Sequence, residues 1–330
     1  MRYTQTAPLL LAGVTAAFAL PLEGTGETMH EIVAREVRYD QSCSRKIPGT
    51  DKTYEPKARK ALSDATQLAL VALEGYNLEV NGFAESSASS RSPFHLYPPS
   101  FSHYFGPGDT DQVKNMMQAI SNSRLPADDD DGSQGYFVDI KCGSDQDKEE
   151  CGRSVLAVTN AKPGKTVVVL CDKFFSDNTV QTKQDLDSKK MGARRGQWCQ
   201  PGADFPFFEV AGLTLFHELT HLHTVGQRAG LSERPDSNPD GSIFLSAGTV
   251  DVYVQGGDED RGQYEGGEPW KAARRLRELW DDYDGDETRY KPTTPAVENA
   301  ESYAAAALEF YFLRNCGWDA IPHLAMATEL

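Results

Sequence analysis

His217 and His221, with Glu218 beside them, are the residues whose types and spacing point most directly to chemistry. They close the apolar run Phe207-Phe208-Glu209-Val210-Ala211-Gly212-Leu213-Thr214-Leu215-Phe216-His217-Glu218-Leu219-Thr220-His221, a helix-length segment ending in His-Glu-x-x-His. On an α-helix, residues four apart are rotated by only about 40°, so the two imidazoles project from one face. Two neutral imidazoles on one face are two ligands for a zinc ion. The Glu218 carboxylate lies on the same turn, where it can take a proton from a zinc-bound water. The bland alternative, a surface helix with two solvated histidines, fits poorly with so apolar a run.

A catalytic zinc needs a third protein ligand and one position open for water. The extended pattern His-Glu-x-x-His-x-x-Gly-x-x-His asks for glycine at position 224 and histidine at 227, and the chain has Thr224 and Gln227. His223 lies about 200° around the helix from His221 and reads as an ordinary polar residue on the far side. Two completions remain from the residues alone. One is a glutamate of the last helix, Glu298 or Glu301; the other is Asp251 in Gly248-Thr249-Val250-Asp251-Val252-Tyr253.

The elements that must position these groups are legible in part. Ala58, Ala61, Leu62, Ala65, Leu68, Ala69, Ala72 and Leu73 recur at helical spacing, which predicts a helix from Pro56 to Tyr76 with Gly75 at its end. Residues 84–109, rich in Ser, Pro and Gly, read as an ordered loop. A second helix is expected from Thr110, as N-cap, through Val113, Met116, Met117 and Ile120. Strand patterns follow at Gly135 to Cys142, Ser154 to Thr159 and Thr166 to Cys171, three short strands that read as a small stapled sheet. Asp128 to Asp131, closed by Gly132, lacks the spaced ligands and distal glutamate of a calcium loop and reads as a solvated turn. Pro206 sits near the expected first turn of the histidine helix. A charged amphipathic helix is expected from about Pro269 to Tyr283, burying Trp270, Ala273, Leu276 and Trp280. The last helix starts near Pro295, with Ala300, Tyr303, Ala304, Ala307, Leu308, Tyr311 and Phe312 on one face and Gly317 as its stop. The expected class is α+β, mainly helical, with a small β-sheet.

The 330 residues suffice for a full core, and no internal repeat or sharp composition break forces a division into two domains. With 33 basic and 49 acidic residues the net charge is −16, which disfavours nucleic acid and anionic membrane surfaces as partners. The N-terminus reads as a secretory signal over residues 1–19: Arg2, an apolar segment from Pro8 to Leu20, and Ala17-Phe18-Ala19 as a small-x-small cleavage pattern. Residues 20–42 read as a lead-in or short pro-segment, and 43–330 as one domain. A secreted chain permits disulfides. None of the six cysteines (Cys43, Cys142, Cys151, Cys171, Cys199, Cys316) is spaced Cys-x-x-Cys, so structural bridges are expected, with their pairing open.

His217-Glu218-Leu219-Thr220-His221 followed by Gly248-Thr249-x-Asp251 resembles the fungal aspzincin metalloendopeptidases, the deuterolysins and peptidyl-Lys metalloendopeptidases. Asn299-Ala300-Glu301-Ser302-Tyr303 is similar to that family's Asn-Ala-Asp-Ser-Tyr segment, and the upstream cysteines followed by Phe174-Phe175 also look like deuterolysin. The resemblance covers roughly residues 40–255 and 295–320. It implies a zincin-like fold, one zinc ion held by His217, His221 and Asp251, and bridges Cys43–Cys142, Cys151–Cys171 and Cys199–Cys316. It also implies Tyr253 as a hydrogen-bond donor to the oxyanion. The chain departs from the family where Tyr253 is followed by Val254 rather than glycine, in an insertion at about 255–295, and in the short stretch before Cys43. Peptidyl-Lys members carry two carboxylates three residues apart on the last helix; here those positions are Glu301 and Ala304, which implies at most a mild preference for basic side chains.

These readings converge on a secreted, monomeric zinc endopeptidase acting on proteins or peptides, with Glu218 as general base and an extended substrate paired along an edge strand near the helix. The competing reading is a secreted zinc-binding or host-interaction protein that retains the motif without turnover.

Overall fold

The computed structural model describes residues 37–86, 99–121, 138–143, 151–152, 155–176, 185–187, 205, 208–237, 241–252, 269–283, 285–286 and 288–316, without the side chains of 75–86, 99, 313 and 316. In chain order the elements are strand β1 (Val37–Tyr39), the long helix α1 (Glu55–Ser86), the single turn α2 (Pro99–Ser102) and α3 (Thr110–Ser121). Strands β2 (Val138–Cys142), β3 (Ala157–Asn160) and β4 (Val167–Leu170) follow, then the short α4 (Asp172–Ser176), α5 (Ala211–Thr220) and α6 (His223–Ala229). A hairpin, β5 (Arg234–Ser237) and β6 (Ile243–Ser246), precedes α7 (Pro269–Tyr283) and α8 (Ala300–Cys316). The protein is mixed α+β and mostly helical.

α1, α5 and α8 pack on one another, and α3 lies against α1 and α6. Alanines make the α1 packing close: Ala58, Ala61, Ala65, Ala69 and Ala72 are all buried on one face with Leu62 and Leu68. The helix continues past Gly75, because one internal glycine costs only about 1 kcal/mol in a helix whose first half is packed in the core. α8 was expected to bury one face, but it buries Ala305, Ala306 and Phe310 as well as Ala300, Ala304 and Ala307. It packs against four helices, α1, α5, α7 and α2.

The sheet order is β1-β2-β4-β3, parallel except for the β3–β4 pair. Three strands match the three expected. The fourth, β1, lies in the stretch read as a lead-in; three residues are too few to show an alternation in sequence. Bridges Cys43–Cys142 and Cys151–Cys171 staple β2 and the start of α4 to their neighbours. The expected partner of Cys316, Cys199, lies outside the described residues, as do residues 1–36, Asp128 to Asp131, Tyr253 and Gly317.

Local chemistry sets several boundaries. Thr110 does not cap α3: a 3-10 turn at Pro107–Asp109 leads straight into the helix, and the Thr110 hydroxyl donates to Pro107 O at 2.9 Å. α5 is shorter than its apolar run, because Val210 is extended (φ −137°, ψ 161°) and the helix begins at Ala211. It also ends at once after the motif. Leu222 is extended, and His223 opens a new helix instead of lying on the far side of the first. α7 has the expected limits and buries Trp270, Ala273 and Leu276, with Trp280 partly covered. It also buries Arg274, which donates to Glu309 on α8 at 2.7 Å.

Candidate metal centre

α5 is anchored by fully buried Leu215 and Phe216, each contributing about 1.5–3 kcal/mol relative to exposure. That burial fixes the rotation of the helix and so turns His217, Glu218 and His221 towards a groove of about 860 Å³. The groove is bounded by the β3 strand, Thr214 of α5, Asp236 of the hairpin and Pro269 at the start of α7.

Asp251 enters this groove from a segment tied down on both sides. Gly248 packs so closely on the α5 terminus that a Cβ there would lie 1.9 Å from the His221 carbonyl oxygen, which excludes any other residue type. Gly226 is required in the same way, since its Cβ would fall 1.8 Å from Ala247 O. Thr249 N–H donates to Thr220 O at 3.0 Å, and the two threonine hydroxyls share a 2.7 Å hydrogen bond. Val250 N–H donates to Glu298 O at 2.8 Å, and Ala300 N–H donates to Val250 O at 3.0 Å. Val252 N–H donates to Asn299 Oδ1 at 3.2 Å, and its side chain packs with Ala272, Leu276 and Leu279 of α7. Arg234 of β5 donates to the Gly248 carbonyl. His223 is buried, and its Nδ1 accepts from Ala247 N–H at 3.1 Å, so it holds the approach to this segment.

The result is a tight triangle. His217 Nε2 is 2.9 Å from Asp251 Oδ1, His221 Nε2 is 3.4 Å from it, and the two Nε2 atoms are 3.2 Å apart. Four ligands set tetrahedrally at the usual zinc distances of about 2.0–2.1 Å are separated by about 3.3–3.4 Å, close to all three edges. Tautomers point the same way. His221 Nδ1 lies 2.8 Å from Thr249 O, which can only accept, so Nδ1 carries the proton. His217 Nδ1 lies 3.1 Å from Glu301 Oε2 and donates to it. Both neutral rings therefore turn Nε2 lone pairs towards one point, and two lone pairs 3.2 Å apart call for a positive charge between or beside them. Without a metal, a proton takes that part. Burial works to lower the His217 pKa, but its hydrogen bonds to Asp251 and Glu301 outweigh it and hold the imidazole well above its ordinary value. Burial also acts to raise Asp251, and the two histidines outweigh it and hold that carboxyl well below the usual range. The donor set, two imidazoles and a carboxylate, is one that zinc accepts.

Glu301, the other candidate third ligand, stands behind His217 on Nδ1, not beside the Nε2 atoms. It orients the ring, and that bond leaves it poorly free to receive a basic side chain. Glu298 contributes its backbone carbonyl to Val250 and its carboxylate lies 3.6 Å from Arg234. Glu218 is 8% exposed, and its Oε2 accepts from the Thr159 hydroxyl at 2.7 Å. Thr159, Thr220 and Arg234 carried no signal in the sequence, since each acts through a partner far along the chain. Tyr253, expected at the oxyanion, lies outside the described residues.

No family model matches the chain, and no curated protein or solved structure is detectably similar to it. Among the described residues no helix is long and apolar enough to cross a membrane.

Proposed function

We propose that this protein is a secreted, zinc-dependent endopeptidase of the aspzincin type, with a zincin-like fold and one zinc ion held by His217, His221 and Asp251. The observation that carries the reading is the convergence of those three ligand atoms within one zinc-sized triangle, with Glu218 next to it in a groove beside an open strand edge. The signal-like N-terminus and the two disulfides support passage through an oxidising compartment.

Held by His217, His221 and Asp251, a zinc ion would supply a water of lowered pKa and a Lewis acid for the substrate carbonyl. The chain's own groups supply the rest. Glu218 accepts the proton of the attacking water and returns it to the leaving amine. The substrate backbone is seated by β3. Cys171 N–H donates to Leu156 O at 2.9 Å, and Val158 and Asn160 stand opposite Val169 and Val167. In an antiparallel ladder these alternate residues make the β4 bonds, so the amide and carbonyl groups of Ala157 and Thr159 face outward. Among the described residues no strand pairs with that edge. An extended peptide adding there places a carbonyl over the triangle and uses main-chain bonds that any sequence provides. The test is cleavage of casein by purified protein with and without a chelator, followed by zinc add-back. The reading expects cleavage that stops on chelation and returns with zinc; no cleavage by zinc-replete protein would reduce the site to a binding site without turnover.

A further inference from the structure

The open edge of β3 and the Glu218 carboxylate are joined by one side chain. Thr159 lies on that edge with its backbone groups turned towards the groove, while its hydroxyl is 2.7 Å from Glu218 Oε2 and 2.9 Å from Glu218 O. A hydroxyl has a single proton, and an ionised carboxylate is the stronger acceptor of the two. Among the described residues no other group hydrogen-bonds the Glu218 carboxylate: the ligand histidines use Thr249 and Glu301 instead. An unheld glutamate samples several rotamers, and most of them take a carboxylate out of line with a group on the next turn.

We infer that Thr159 is the positioning residue for Glu218, aiming the base from the same strand residue that seats the substrate backbone. The inference rests on the endopeptidase reading and adds to it a device that couples peptide register to base geometry. A peptide that pairs with Thr159 N–H and C=O is indexed to the residue that sets where the proton acceptor lies. Misaligned pairing therefore leaves the scissile carbonyl out of reach of a correctly aimed base. Ala157, the other outward-facing residue, has only a methyl group and offers no such link.

Two pairs of variants isolate the hydroxyl: Thr159→Val against the unmodified protein, and Thr159→Ala against Thr159→Ser. The second pair differs by one oxygen and serves if the valine variant folds poorly. Three quantities are measured on zinc-loaded protein: kcat and KM on a fluorogenic peptide, zinc Kd, and Kd for a peptide hydroxamate, whose N–OH presents a proton to a carboxylate beside the metal. The expected result is a fall in kcat and a loss of hydroxamate affinity of about tenfold or more in the valine and alanine variants, with KM and zinc Kd unchanged. The serine variant stays near the unmodified protein. Equal loss in serine and alanine, a parallel loss of zinc affinity, or no loss in either hydroxyl-free variant overturns the inference. If the unmodified protein binds zinc but cleaves nothing, the endopeptidase reading fails, and the hydroxamate measurement still decides the role of Thr159. If the unmodified protein binds no zinc, both fall together.

Discussion

Two polar clusters hang from the same helix, α8, and they are built on opposite principles. At Glu309 every charge is matched. The carboxylate takes a 2.7 Å bond from Arg274 and a 2.7 Å bond from His103, and Arg274 also donates to Tyr104 OH at 3.1 Å. Tyr104 and Trp270 cover the guanidinium with their rings at 5.4 and 5.1 Å. At Glu301 the balance is missing. Three carboxylates, those of Asp251, Glu301 and Glu218, stand with two imidazoles, and among the described residues no Lys or Arg side chain lines the groove. The charges of the Glu309 cluster are paired as they stand and tie α7 to the core. The Glu301 cluster adjoins a His217, His221 and Asp251 group that could hold an added cation. A buried polar group that is fully partnered reads as architecture; one whose lone pairs converge on a common point reads as a site.

That contrast can be broken or sharpened in several ways. The largest effect is expected at the base. Glu218→Gln should leave zinc bound while peptide turnover falls by roughly a hundredfold to ten-thousandfold, and near-normal turnover in a peptidase assay would remove Glu218 from the mechanism. In the other cluster, Glu309→Ala strands a buried guanidinium and should lower unfolding stability by about 3–5 kcal/mol in denaturant melts, with zinc affinity of the folded protein retained. A loss of zinc binding in that variant without loss of stability would erase the distinction between the clusters. Glu301→Gln keeps the shape but weakens the acceptor behind His217, and calorimetry should show zinc affinity reduced by about tenfold to a hundredfold.

The smallest effect concerns pH. Burial works against the charge on Glu309, but the charge of Arg274 and the bond from His103 outweigh it and hold the carboxyl below its ordinary value. A carboxyl lowered on folding adds stability above its unfolded pKa of about 4.3, and that stability disappears as pH falls through the folded value. Unfolding midpoints should therefore drop on acidification below pH of about 4, and the slope should flatten in Glu309→Gln.

The two halves of the candidate site differed in how far the sequence exposed them. His217, Glu218 and His221 sit within one helical turn, so spacing alone fixed their common face. Asp251 reaches them through contacts between distant segments: Gly248 against His221, Val250 beside Glu298 and Ala300, Val252 on α7. None of these contacts leaves a local pattern: the residues alone leave Asp251 level with Glu298 and Glu301, and the resemblance of Gly248-Thr249-x-Asp251 to a known family is what favours it. The glycine in that segment now has a steric reason and the threonine a hydrogen-bonding one. His223 departs from the expected far-side position because the helix does not continue past Leu222; the chain turns there and buries the imidazole. The fold shows the same division. α7 is delimited by Pro269 and by a strong amphipathic pattern, whereas β1 is too short to announce itself and the full burial of α8 depends on what surrounds it.

The central claim is that His217, His221 and Asp251 together hold one zinc ion while Glu301 only orients a ligand. Zinc content and affinity of the unmodified protein, Asp251→Ala and Glu301→Ala, measured by metal analysis and calorimetry, test it most directly. The account predicts one zinc per chain, none retained through purification in Asp251→Ala, and one weakly held zinc in Glu301→Ala. A chain that binds no zinc, or that keeps it without Asp251 and loses it without Glu301, would contradict the account.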